Sequence, residues 1–125
     1  IAAAKAAGFR TVINNRPDHE EAGQPTSAEL EAKSKAEGLE YHHIPVVPGR
    51  FTDAQADAFG KLLDGSEKPV LAFCKSGMRA TTLWALSQAG KLTADEILRQ
   101  AAACGYDLRP LRGQIARARL GRRDA

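Results

Sequence analysis

Cys74 and Arg79 are the two residues whose types and spacing could do chemistry together. Four residues, Lys75-Ser76-Gly77-Met78, separate them, and the apolar run Val70-Leu71-Ala72-Phe73 leads into the cysteine. That run reads as a strand and the sequence from Arg79 onward as a helix, so the thiol falls at a strand's carboxyl end. Gly77 lets the backbone curl tightly between them. Such a loop can aim the N–H groups of Lys75 to Arg79 inward, at the positive end of a helix dipole. A thiol in this setting is expected to ionise easily, because thiols near about 8.5 fall to roughly 3.5–7.5 beside helix N-termini and cations. Lys75 adds charge at the rim, Ser76 is a candidate donor to the thiolate, and Arg79 offers a planar fork suited to an oxyanion. The expected chemistry is attack by a thiolate while backbone N–H groups and an arginine hold the anion. A cysteine ending a core strand is ordinarily a small buried hydrophobe. Lys, Ser, Gly and Arg at a strand-to-helix junction set Cys74 apart. Cys104, in Ala101-Ala102-Ala103-Cys104-Gly105, lacks that setting and is expected to fill core.

The elements that must hold this junction alternate along the chain. Residues 1–7 are Ala-rich and stop at Gly8, a helix with its terminal glycine. Thr11–Asn14 is β-prone and closes at Asn15-Arg16-Pro17-Asp18, with a polar loop over 18–25. Thr26 with Glu29, Thr52 with Gln55 and Thr93 with Glu96 have the spacing of capping boxes, each opening a helix. The first helix ends at Gly38, and the second puts Ala56, Phe59, Leu62 and Leu63 on one face. Tyr41–Val47 is a strand stopped by Pro48-Gly49. Val70–Phe73 has the pattern of a strand buried on both faces. An apolar helix, with Trp84 in the core, runs from about Arg79 to Ala89; a later one ends near Cys104, and a short Arg-rich helix follows Pro110. Strands separated by helices imply crossovers, hence an α/β fold: three layers, a parallel sheet with helices on both faces.

Ligands in such sheets sit beyond the carboxyl ends of the strands. Asn14–Asp18 is therefore expected to open onto the same face as Cys74. Arg16 either contacts an anion there or is tied to Asp18 or Glu20. His42 and His43 alternate on their strand, so one points inward; His43 is a candidate for the site's wall, and too few other ligands accompany it for a zinc site. Asp53 is the first acid after the Tyr41 strand and is either site-lining or decoration of its helix dipole. The acidic stretch Asp18 to Glu40 reads as ordinary surface.

With 125 residues the chain is large enough for one core, expected over 1–112, with 113–125 as a basic C-terminal tail. Residues 107–125 hold six Arg against Asp107 and Asp124, a bias usual for a solvated helix face, so nucleic-acid binding is not expected. The longest apolar run is five residues, Val70–Cys74, against about 20 for a membrane span. Two cysteines exclude a disulfide-rich scaffold and a four-thiolate zinc site. No metal and no cofactor is expected. The chain opens inside helical sequence without an initiator Met, which reads as a domain cut from a longer protein. No signal peptide is visible, so a cytoplasmic location is expected.

The strand–Cys-x-x-Gly-x-Arg–helix arrangement resembles the anion loop of cysteine-dependent phosphatases and rhodanese-type sulfurtransferases. Four segments narrow the resemblance: Val12-Ile13-Asn14-Asn15-Arg16-Pro17-Asp18-His19-Glu20; Tyr41-His42-His43-Ile44-Pro45-Val46; the Cys74 loop with Leu83-Trp84-Ala85-Leu86; and Ala103-Cys104-Gly105-Tyr106-Asp107-Leu108. Together they are similar to the DUF442 family, the beta-lactamase hydrolase-like protein, phosphatase-like domain, also called a sulfur transferase family. The resemblance implies a dual-specificity-phosphatase-like fold with a first strand upstream of Ile1. It also implies a bacterial sulfide-detoxification setting, in which members stand alone or are fused to metallo-β-lactamase-like persulfide dioxygenases.

Phosphatase and sulfurtransferase use the same parts but differ at three readable places. Protein tyrosine phosphatases have five residues between Cys and Arg where this chain has four. They usually carry His before the cysteine and Ser or Thr after the arginine, where this chain has Phe73 and Ala80, with hydroxyls only at Thr81 and Thr82. They need an acid to protonate the leaving group, for which Asp53 is the only candidate. The sequence reading therefore favours sulfur transfer: Cys74 takes the outer sulfur of thiosulfate or glutathione persulfide, holds it as a persulfide, and yields it to a small thiol acceptor. A phosphatase passing through phospho-cysteine is the alternative, and a silent anion- or partner-binding module the third reading.

Overall fold

The computed structural model describes residues 2–47 and 50–123. Pro48 and Gly49, expected to stop the second strand, lie outside the described residues. In chain order the elements are α1 (Ala2–Ala6), β1 (Thr11–Asn14), α2 (Ser27–Ala36), β2 (Glu40–His43), α3 (Asp53–Gly65), β3 (Val70–Phe73), α4 (Met78–Ser87), α5 (Ala94–Ala103), a 3-10 turn (Arg109–Leu111) and α6 (Arg112–Arg123). The three strands form one parallel sheet in the order β2-β1-β3, with the helices packed around it. Crossover helices are what parallel neighbours require, and alternating strand and helix sequence supplies them.

Register explains a difference from the sequence pattern. Thr11 pairs with both Glu40 and Val70, and Asn14 with both His43 and Phe73, so β1 is the central strand. All of Thr11–Asn14 is buried, whereas β3, expected to be buried on both faces, is half-buried along its length. Its apolar run reflects packing against helices rather than central position. β2 ends at His43, short of the expected Val47, although the Ile44 and Val46 N–H groups still donate to the Asn14 and Asn15 carbonyls at 2.9 and 3.0 Å and both side chains pack inward.

The helix starts follow the sequence closely. Thr52 makes the full reciprocal box: its hydroxyl accepts from the Gln55 N–H at 3.1 Å, and its own N–H donates to Gln55 Oε1 at 2.9 Å. At Thr26 and Thr93 the hydroxyl likewise accepts from the third N–H of the helix. The core gathers Ile13, Phe59, Leu83, Ile97, Leu108 and Ile115 from sheet and helices alike. Ile115, in the segment read as a tail, packs into the core. The segment from 113 onward is helical through Arg123, its Ile115 is fully buried, and Arg119 Nη1 donates to the Leu92 carbonyl at 2.7 Å beyond α4. Cys104 is exposed rather than core filler, because the buried stripe of α5 runs through Ile97 and Ala101 and ends one turn earlier.

Candidate active site

β3 ends at Phe73, and the chain then curls over Cys74–Gly77 into α4. The strand end is pinned from the neighbouring strand. The Asn15 N–H donates to the Phe73 carbonyl at 2.8 Å, and the Asn15 side-chain amide donates to the Ile44 carbonyl at 3.0 Å. Asn15 is wholly buried, so one residue, through its backbone N–H and its side-chain amide, ties together the carboxyl ends of all three strands.

Within the loop the half-buried Cys74 Sγ accepts the Gly77 N–H at 3.0 Å. That geometry depends on Gly77 standing at φ 85°, the left-handed region, with no side chain. A Cβ there would land on the hydroxyl of Tyr106, which itself donates to the Ser76 carbonyl at 3.2 Å. Tyr106 thus closes over the loop from the far side of α5. Ser76 Oγ accepts a long bond from the Met78 N–H at 3.4 Å, just ahead of α4. Met78 and Lys75 face solvent. The hydroxyls of Thr81 and Thr82 bond back to the carbonyls of Gly77 and Met78 at 2.7 and 2.8 Å.

Arg79 is buried in the first turn of α4. Its Nη1 donates to Glu20 Oε2 at 2.7 Å and to the Val46 carbonyl at 2.8 Å, and its Nη2 donates to Glu20 Oε1 at 3.0 Å. Hydrogen bonding to Glu20 holds the guanidinium above its ordinary value, against desolvation, and Cys74 acts in the same direction as a lesser cause. Arg16, half-buried, donates through Nε to the same Glu20 oxygen at 3.0 Å. Glu20 is correspondingly held below the ordinary 4.5, first by the Arg79 hydrogen bond and then, against desolvation, by Arg16. Glu21 pairs with Lys75, the first cause of its own lowered value.

The structure therefore brings Cys74, Lys75, Ser76, Gly77, Met78, Arg79 and Arg16 to one face of the sheet. Of the two readings left open for Arg16, the tie to Glu20 is the one realised, although Arg16 Nη2 is buried without a hydrogen-bond acceptor. His43 stands behind this group, its Nε2 2.7 Å from the Arg16 carbonyl oxygen. Asp53 is not brought there. It lines a separate open cavity of about 820 Å³ with Asp57, Lys61, Lys91 and Arg117. Glu20 and Glu21, read from sequence as ordinary surface, turn back onto the loop; the Arg16–Glu20 spacing at the end of β1 was the available signal. Nothing in the sequence singled out Tyr106 as the loop's lid. Among the described residues no cluster of three or more His, Cys, Asp or Glu could hold a metal ion. No described helix is long and apolar enough to cross a membrane.

Comparison with known proteins agrees with this architecture. The chain is 40% identical over 103 residues to a beta-lactamase hydrolase-like protein of Xylella fastidiosa (strain Temecula1), covering 81% of this chain and 24% of that protein. A counterpart from Agrobacterium fabrum is 39% identical over 105 residues, again covering 24% of the relative, so the chain spans about a quarter of the curated relatives it matches. Among solved structures, a candidate phosphatase from Neisseria meningitidis Z2491 superimposes with a TM-score of 0.82 at 34% identity, over 94% of this chain and 84% of that one. A DUF442 candidate phosphatase from Shewanella putrefaciens CN-32 shares the fold alone, with a TM-score of 0.66 at 21% identity over 90% and 73% of the two chains. The family model matches residues 1–91, and with these relatives it makes the chain a member of the beta-lactamase hydrolase-like protein, phosphatase-like domain family.

Proposed function

We propose that the domain is a cysteine-dependent hydrolase of phosphate monoesters. The thiolate of Cys74 attacks phosphorus, an S–P bond forms as the ester P–O bond breaks, and the alcohol oxygen leaves. Water then attacks the phosphoryl group, breaking the S–P bond and returning the thiolate. The observation that carries this reading is the placement of Cys74 Sγ against the Gly77 N–H at the start of α4, with Arg79 buried in the first turn of that helix. Kinship points the same way, since the family is phosphatase-like and a relative of 34% identity is described as a candidate phosphatase. That shifts the balance from the sulfur transfer favoured by sequence.

The carboxylates nearest the loop are engaged: Glu20 by Arg16 and Arg79, Glu21 by Lys75. Neither is free to protonate a leaving group, so we expect aryl phosphates, whose oxyanions leave unaided, to be cleaved much faster than alkyl phosphates. The same observation, with the four-residue spacing from Cys74 to Arg79, supports a second reading. Cys74 would attack the outer sulfur of thiosulfate or glutathione persulfide, releasing sulfite or a thiolate, and pass the sulfur to a small thiol. A fused or interacting persulfide dioxygenase would be a natural neighbour for that reaction.

Two assays on one preparation decide. Turnover of p-nitrophenyl phosphate that vanishes in Cys74→Ser supports the phosphatase. One added sulfur on Cys74 by intact mass after thiosulfate, without phosphate release, transfers the assignment to sulfur transfer. Neither reaction, with Cys74 inert to alkylation at neutral pH, leaves the silent module.

A further inference from the structure

A guanidinium has five N–H groups, and their allocation at Arg79 is informative. Glu20 takes one from Nη1 and one from Nη2, the end-on fork, and the Val46 carbonyl takes the second of Nη1. The two that remain, on Nε and on the outer side of Nη2, make up the lateral edge. Cys74 opens the loop that leads into the first turn of α4, where Arg79 is buried, and those two protons are the donors this guanidinium has left for an anion at the sulfur. Glu20 does not reach Arg79 casually. The residue before it, His19, stands at φ 63°, a left-handed conformation that is unfavourable for a residue with a side chain. Its Oε1 also accepts from Arg16 Nε, so one carboxylate holds two like-charged guanidinium groups side by side, both largely shielded from solvent.

We propose that Glu20 is a positioning residue: by occupying the end-on fork of Arg79 it aims the lateral fork at the Cys74 sulfur and at the anion bound there. This rests on Cys74 and Arg79 forming one anion site, but not on which group is transferred. The competing idea is that Glu20 merely sits where a substrate anion would, as an internal competitor.

The two ideas predict opposite signs. The probe is the ratio of alkylation rates at Cys74 for iodoacetate and iodoacetamide, read by peptide mass so that the exposed Cys104 is counted separately. The ratio isolates attraction of a carboxylate to the sulfur, because both reagents meet the same thiolate. Glu20→Gln raises the net charge by one, so a simple competitor predicts a higher ratio. Positioning predicts a fall of about 5- to 10-fold, the loss of an aimed charged donor pair. Glu21→Gln makes the same charge change one residue along and is expected to leave the ratio level or raise it. A Glu20→Gln ratio equal to or above that of the unmodified protein overturns the proposal. Should that variant not fold, Glu20→Asp keeps the charge and shortens the reach, and an unchanged ratio there overturns it equally. The readout needs no turnover, so absence of both activities above would sink the proposed function without touching this inference.

Discussion

At the scale of single residues the site is a ledger of donors and charges. Arg16, Lys75 and Arg79 face Glu20 and Glu21, which leaves a small positive excess for an anion at Cys74. The planar fork matters more than the charge. Arg79→Lys keeps the charge but loses the fork, so inhibition by vanadate is expected to weaken by about 10- to 100-fold, measured as a shift in inhibition constant. An equal constant in the variant would mean that charge alone suffices. The same ion pair has a consequence in acid. Because Glu20 is held below its ordinary 4.5 in the folded protein, its contribution is complete above that pH and drains away as pH falls beneath it. Glu20→Gln should therefore lower stability by about 2–3 kcal/mol near neutrality, with a smaller gap at pH about 3.5, checked by urea unfolding at both values. A gap that widens in acid would contradict the assignment.

At the scale of elements, the loop from β3 to α4 works because strand end, turn and helix start are fixed independently. Asn15 clamps the strand, Gly77 makes the turn, and the first turn of α4 carries Arg79 inward. Gly77→Ala tests the turn. The new Cβ would meet the Tyr106 hydroxyl in a backbone conformation that already disfavours it, so the Gly77 N–H should swing away from the sulfur. We expect at least a 10-fold fall in Cys74-dependent activity with a melting temperature only a few degrees lower. Activity close to that of the unmodified protein would show that the Gly77 N–H contributes nothing to the reaction.

At the scale of the whole molecule, the core does not stop where the family model ends. The family match ends at residue 91, yet Ile97, Ala101, Leu108 and Ile115 belong to the same buried cluster as Ile13 and Phe59. Ile115→Ala should cost about 2–5 kcal/mol, and a chain ended at 112 should melt well below the 125-residue chain. A truncated chain of unchanged stability would restore the reading of that segment as a tail. Arg119 of α6 has a structural use too, since its Nη1 donates to the carbonyls of Ala89 and Leu92.

What the sequence determined by itself was local. Capping residues and glycines set the helix limits, alternation of strand and helix set a parallel sheet, and Cys74 with Arg79 at a strand-to-helix junction set the place of the chemistry. Those signals lie within a few residues of one another, and local geometry is enough to carry them. The tertiary structure decided everything that crosses the chain. It made β1 central and β3 half-buried, because the order of strands in a sheet is not written in any one strand. It sent Asp53 to another face and brought Glu20 to Arg79, 59 residues away in sequence, because the end of β1 and the start of α4 meet only once the sheet has formed.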